Sequence, residues 1–377
     1  MAGIYIHIPF CRKKCHYCNF YTVISQKYRK AFISKLLQEI VSRHHYLNNQ
    51  PVNTIYFGGG TPSILEPSEI NLLINQIKSH FTVIENAEIT LEANPDDLSI
   101  DYLKKLKDET PINRFSIGIQ SFFDDDLTYL NRSHHSKQAR LAIENALYLG
   151  YNNMTIDLIY GIPTLTNEKW KKNLDIFFEY GLPHLSSYAL TVEPKTNLEV
   201  LINKKKIAST EEDQIVRHFE ILLEETDKQG YIHYEISNFA REGYYSKHNS
   251  IYWLGGHYLG LGPSAHSFNG ITRQWNIKNM KQYCEAKTTD TMVLEKEILS
   301  VDQQYNEYIM TSLRTTWGCD AEHILNVFGN EFQIGFEEDI IPFIQQNKVR
   351  KTGNNYQLTD AGKLFADGIA GALFRGC

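Results

Sequence analysis

The sequence predicts an α/β protein, an open, partial (β/α)6 TIM-like barrel followed by a small C-terminal winged-helix-like α+β unit. Three observations predict it. Short β-rich runs alternate six times with longer amphipathic segments between residue 4 and about residue 240. Such alternation implies a parallel sheet with its helices outside. Six units fall short of the eight that close a barrel, so an open, partial barrel fits, and pattern alone also admits a doubly wound sheet. From residue 301 the order changes to helices followed by a hairpin-like segment.

The strand candidates are residues 4–8, 54–58, 88–93, 114–119, 155–161 and 184–192, with helix candidates near 26–47, 66–80, 99–108, 136–149, 167–180 and 211–229. SKQARLAIENALYLG shows the helical pattern most plainly: Ser136 as N-cap, apolar residues at helical spacing, and Gly150 as the stop. The barrel is thus assigned to residues 1–240 and a less regular, Tyr-, Trp- and Gly-rich connecting region to 241–300. In residues 301–377, helical stretches at 302–314, 320–327 and 332–346 precede VRKTGNNYQLT, whose Gly353-Asn354-Asn355 suits a turn. A last helix starts after Thr359, a suitable cap.

With 377 residues, 42% of them hydrophobic, the chain can bury a sizeable core. No run of about 18 apolar residues is present, which argues against a membrane span. The start, IYIHIPF, lacks a basic and then apolar leader, so no secretory signal is expected. The net charge of −6 speaks against a nucleic-acid partner, as does the C-terminal unit, where six Lys/Arg face ten Asp/Glu. Six cysteines are too few for a secreted disulfide scaffold, which makes the cytoplasm the expected location. Cys284, Cys319 and Cys377 are scattered and read as plain thiols, whereas Cys11, Cys15 and Cys18 crowd one loop.

That loop, PFCRKKCHYCNF, has the spacing C-x3-C-x2-C directly after the first strand. Three thiolates on one loop can converge on soft iron or zinc. A structural zinc wants a fourth ligand, which His16 or His7 could supply. A 4Fe-4S cluster with three Cys ligands leaves one iron open. Phe10, Tyr17, Phe20 and Tyr21 could shield such a cluster, or be ordinary core aromatics. One strand later, YFGGGTPS places Gly58, Gly59, Gly60 and Thr61 in a turn where backbone can approach a ligand and amides can hold a charged group. Polar residues then recur at later strand ends: Glu92, Gln120 and Asp157, with Arg132 nearby in LNRSHH. Singly they are caps or hydrogen-bond partners; together at one end of successive strands they favour a site.

The cysteine spacing resembles the signature of the radical SAM superfamily. The resemblance implies that S-adenosylmethionine chelates the open iron, that one electron cleaves its sulfonium to a 5′-deoxyadenosyl radical, and that Gly58–Thr61 hold its methionine part. YIHIPFCRKKCHYCNF, YFGGGTPS, ITLEANPDD, NRFSIGIQSF, DLIYGIP and SYALTVEPKT are similar to the oxygen-independent coproporphyrinogen III oxidase (HemN-related) branch over nearly the whole chain. That likeness implies that Tyr5 touches the cofactor beside the cluster and that Glu92, Gln120, Arg132 and Asp157 contact S-adenosylmethionine. Two departures separate the chain from the oxidase. Phe20 stands where the oxidase pattern has a further cysteine, and the first strand begins at Ile4 without the oxidase's extension. His248-Asn249-Ser250-Ile251-Tyr252-Trp253 reads HNxxYW and resembles the signature of the HemW family of heme chaperones. By that resemblance His248 binds heme; a buried histidine in an aromatic patch is the plainer reading, and His233, His257 and His266 are competing ligands. The function expected is heme binding and transfer to a recipient protein, with membrane association only through that recipient. The alternative is the oxidase reaction itself.

Overall fold

A computed structural model of the chain describes residues 1–287 and 293–376; Cys377 lies outside them. Six strands, β1 (Ala2–Ile8), β2 (Val52–Gly59), β3 (Val83–Ala93), β4 (Arg114–Gln120), β5 (Met154–Tyr160) and β6 (His184–Ala189), pair in parallel in chain order. The expected helices all form within two residues of their expected bounds except the first, Arg29–Ser42, which is shorter at both ends; two unexpected short helices, Asp124–Tyr129 and Asn197–Asn203, precede the fourth and sixth. Sequential order means that every crossover steps the same way, so the sheet curls as a barrel does; a doubly wound sheet would reverse direction midway. Alternate side chains then divide the sheet. Ile4, Ile6 and Ile8 of β1, Ile55 and Phe57 of β2, and their counterparts are buried in the main core with residues of the surrounding helices. The opposite face carries polar groups that pair between neighbouring strands: Thr155 with His184, Ser116 with Asp157, Tyr56 with Glu92.

The connecting region turns out to continue this sheet. β7 (Ile232–Glu235) and β8 (Asn238–Ala240) extend it antiparallel beyond β6. On the other side β9 (His257–Leu261) lies parallel to β1, followed by β10 (His266–Phe268), β11 (Thr272–Asn276) and β12 (Val293–Ile298) in antiparallel order. The result is one open sheet of twelve strands, with β12 and β7 at its edges. A buried carboxylate, Glu39, fastens the extension. It accepts hydrogen bonds from the Gly262 amide (2.9 Å), Asn276 Nδ2 (2.7 Å) and the Tyr283 hydroxyl (2.6 Å), and it pairs with Arg43.

A second buried cluster, centred on Tyr305, Ile309, Phe336 and Tyr356, forms the C-terminal unit. Its helices precede a hairpin, β14 (Val349–Thr352) and β15 (Asn355–Leu358), to which a short β13 (Cys319–Asp320) adds a third strand. Gly353 takes φ +61° in the tight turn, and Thr359 caps the next helix through Gly362 N. The stretch expected at 332–346 is two helices, Asn330–Asp339 and Ile341–Gln345. Pro342, at the start of the second, has no amide to continue the first. At the fourth barrel helix, Ser136 is the first helical residue and not the cap; its amide donates to Asp124 Oδ1 while Gln138 receives the His135 amide. Among the described residues no helix is long and apolar enough to cross a membrane.

Candidate cofactor site

The cysteine loop leaves the C-terminal end of β1 and is stitched to its neighbours by backbone. Cys11 N donates to Val23 O, Val23 N to Pro9 O, and His16 N to Leu130 O. Cys11, Cys15 and Cys18 are all half-buried free thiols. Thr61 Oγ1 lies 3.5 Å from Cys11 Sγ, and Arg132 Nη1 lies 3.3 Å from Cys15 Sγ. Burial pushes the Cys11 thiol up to about 11, with Thr61 pulling the other way; Cys18 is raised by the same cause. Such thiols hold a proton until a strong cation displaces it, as iron does. Of the two candidates for a fourth zinc ligand, His7 has both ring nitrogens bonded and His16 one. His16 Nδ1 bonds Tyr129 O at 3.0 Å. His7 uses Nδ1 on the Tyr5 hydroxyl (3.1 Å) and Nε2 on Tyr21 O (2.9 Å). Among the described residues no three His, Cys, Asp or Glu side chains converge on a point for a single ion. A cubane takes each thiolate on a separate iron and needs no such point.

The glycine turn does something other than expected. The amides of Gly59, Gly60 and Thr61 are already bonded, to Glu92 Oε2, Ile8 O and Phe10 O respectively, so they form no open anion cradle. What the turn provides is closeness. A Cβ on Gly60 would stand 2.7 Å from Phe10 O, and one on Gly58 would stand 2.8 Å from Tyr5 and 3.0 Å from Glu92 Oε1. The turn thereby presses the cysteine loop against β2 and leaves room beside Tyr5 and Glu92.

The strand-end residues do gather. Glu92 accepts from the Tyr56 hydroxyl (2.8 Å) and the Gly59 amide, and burial raises its carboxyl to about 7. Asp157, bonded by Ser116, is raised by burial to about 6. The β4 ladder is irregular between Ile117 and Gln120, and Gln120 takes φ +66°. There Gly118 O accepts Arg132 Nη2 at 2.8 Å, while Asn94 Oδ1 accepts it at 2.7 Å. Arg132 Nη1 also reaches the Tyr17 hydroxyl (3.4 Å), and Arg132 Nε is a buried donor with no partner among the described residues. Two residues of this site carried no sequence signal of their own. Tyr56 orients Glu92, and Asn94 links Arg132 to Thr61 Oγ1. Both sit in the quoted runs YFGGGTPS and ITLEANPDD, two residues from singled-out positions on the same strand face.

His248 is placed differently from the expectation. It lies on the helix Lys247–Trp253 beneath the barrel and is 1% exposed. Nδ1 bonds Thr54 Oγ1 at 2.7 Å, Nε2 bonds the Tyr252 hydroxyl at 2.8 Å, and the ring stacks on Tyr56 at 4.8 Å. Burial and the nearby Arg114 hold its pKa at about 3. With both nitrogens used and no exposed edge, His248 is a satisfied core histidine in this structure.

The donor set fits a 4Fe-4S cluster with S-adenosylmethionine. Three thiols lie on one loop, Arg132 and Thr61 reach two of them, and a carboxylate and an unpartnered guanidinium donor lie next to the glycine turn. When bound, the cluster would supply an electron for S-adenosylmethionine chemistry. The chain's own residues would hold and orient it, Glu92 and Asp157 as acceptors, Arg132 as a donor and Tyr5 as an aromatic face. Because its pKa is raised, the Glu92 carboxyl contributes stability that is fully present below about pH 4.5 and lost as pH rises through about 7. A cationic ligand needs the ionised form. S-adenosylmethionine binding is therefore expected to tighten from about pH 6 to about pH 8, and Glu92→Gln to flatten that rise. Equilibrium titration across that range checks it; an unchanged slope in the variant counts against Glu92 as the contact.

Comparison with known proteins agrees. The model of the radical SAM superfamily matches residues 5–177, and that of the HemN C-terminal domain matches 299–365. The former implies the cluster and S-adenosylmethionine. The solved coproporphyrinogen III oxidase (HemN) from Escherichia coli superposes with a TM-score of 0.85, covering 100% of this chain and 90% of that one, at 24% identity, which establishes the fold. The chain is 32% identical to the heme chaperone HemW of Bacillus subtilis over 99% of both chains. It is 34% identical to that of Lactococcus lactis over 95% of this chain and 93% of the relative. On these grounds the chain belongs to the HemW family of the radical SAM superfamily.

Proposed function

We propose that the protein is a heme chaperone, binding heme in the cytoplasm and passing it to a recipient protein, with the cluster and S-adenosylmethionine as resident groups. The observation that carries this reading is the nearly full-length relationship to proteins named heme chaperone HemW. Phe20 supports it: it takes the place of the oxidase pattern's further cysteine and is 65% exposed. Membrane contact, in this reading, comes only through the recipient.

The test uses protein with its cluster reconstituted without oxygen. Heme is titrated in and the Soret band followed; in parallel, reductant, S-adenosylmethionine and coproporphyrinogen III are supplied and protoporphyrinogen is measured. The proposal expects saturable heme binding and no multiple turnover. Sustained decarboxylation without heme binding would establish the oxidase reading instead.

A further inference from the structure

We propose that His266 ligates the heme iron, with the porphyrin lying against Trp275 on the inner face of the sheet extension. This rests on the chaperone reading and names the site that reading needs. His7, His184, His233 and His248 each have both ring nitrogens bonded within the protein. His257 has one nitrogen on Gln50 and lies at the opposite end of the sheet from the cysteine loop. His266 is exposed, and among the described residues neither of its ring nitrogens has a hydrogen-bond partner.

Its position suits a ligand delivered near the cluster. β9 runs parallel to β1, so the turn Gly262–Ala265 lies at the cysteine-loop end of the sheet, and His266 opens the returning strand. His266 and Trp275 are a cross-strand pair with ring centroids 5.7 Å apart and planes at 24°. A flat indole beside an imidazole is a surface on which a porphyrin can pack. The flanks carry the charges that propionates need. Arg273 is on β11, paired to Glu307 at 2.7 Å, and exposed Lys278 lies just beyond the strand. Both are near enough, with burial the larger cause, to hold His266 below the usual imidazole value, which favours the neutral form that binds iron. On the cysteine-loop side, Tyr21 O bonds His7, and the neighbouring Phe20 and Ile24 expose apolar surface. A cross-strand pair can also serve sheet stability alone, and that role predicts no effect on a heme spectrum.

The experiment titrates heme into the reconstituted full chain and follows the Soret band of wild type, His266→Ala, His266→Met and His248→Ala. Wild type should bind. His266→Ala should weaken binding by at least about tenfold and shift the band, as loss of one bond to iron requires. His266→Met should bind with the altered spectrum of a thioether ligand, and His248→Ala should keep the wild-type spectrum. Should His266→Ala fail to fold, His266→Met decides through its spectrum alone. Identical spectra and affinities for wild type and both His266 variants would overturn the assignment while leaving the chaperone reading standing. No Soret band in wild type would overturn the chaperone reading itself.

Discussion

Replacing Cys11, Cys15 and Cys18 by alanine is expected to remove all cluster iron, from about four atoms per chain after anaerobic reconstitution to none. His7 has both ring nitrogens bonded, to Tyr5 and Tyr21, and among the described residues no three His, Cys, Asp or Glu side chains form a ready-made metal site that could stand in for a lost thiolate. Phe20 offers no donor atom. Each single replacement should therefore lose most of the visible absorbance, and none should be spared. The loop's own backbone is held by Val23 O, Pro9 O and Leu130 O, which the substitutions do not touch, so the fold should survive. Iron analysis together with a far-ultraviolet spectrum checks both halves. Full iron in any one variant would show that the corresponding cysteine is not a ligand.

The second large effect concerns stability. Glu39→Ala is expected to cost about 3–5 kcal/mol, the usual penalty for leaving one charge of a buried pair uncompensated. Arg43 would keep only neutral partners: Gly260 O at 3.1 Å, Ser267 Oγ at 3.2 Å and Asn276 Oδ1 at 3.4 Å. The Gly262 amide, Asn276 and Tyr283 would lose their acceptor in the same step. Removing the orphaned charge as well, in Glu39→Ala with Arg43→Met, should recover part of the loss. Denaturant unfolding measures it. A single variant within about 0.5 kcal/mol of wild type would show that Glu39 does not hold the extension to the barrel.

Local pattern made the barrel legible and long-range pairing hid the rest. Ile4, Ile6 and Ile8, or Ile55 and Phe57, announce strands because one face of each is apolar, and Gly150 and Thr359 mark helix ends by backbone conformation and capping. β9 gave no such sign. HYLGL is short and glycine-bearing, and it becomes a strand because β1, more than two hundred residues earlier, offers it an open edge. The site divides likewise. Cysteine spacing is a local property, and so are polar residues at strand ends. Side-chain direction is not, which is why His248 reads as a ligand in HNxxYW and lies buried between Thr54 and Tyr252. The glycines were informative for a different reason than amide donation: Gly60 is small because Phe10 O leaves no space for more.

A cluster held by Cys11, Cys15 and Cys18 would leave one iron open to S-adenosylmethionine. Electron paramagnetic resonance of the reduced, reconstituted protein tests it most directly, recorded without and with S-adenosylmethionine. A 4Fe-4S signal whose g values move when S-adenosylmethionine is added is the expected result. A signal that stays unchanged at saturating S-adenosylmethionine, or the absence of any cluster signal, would contradict it.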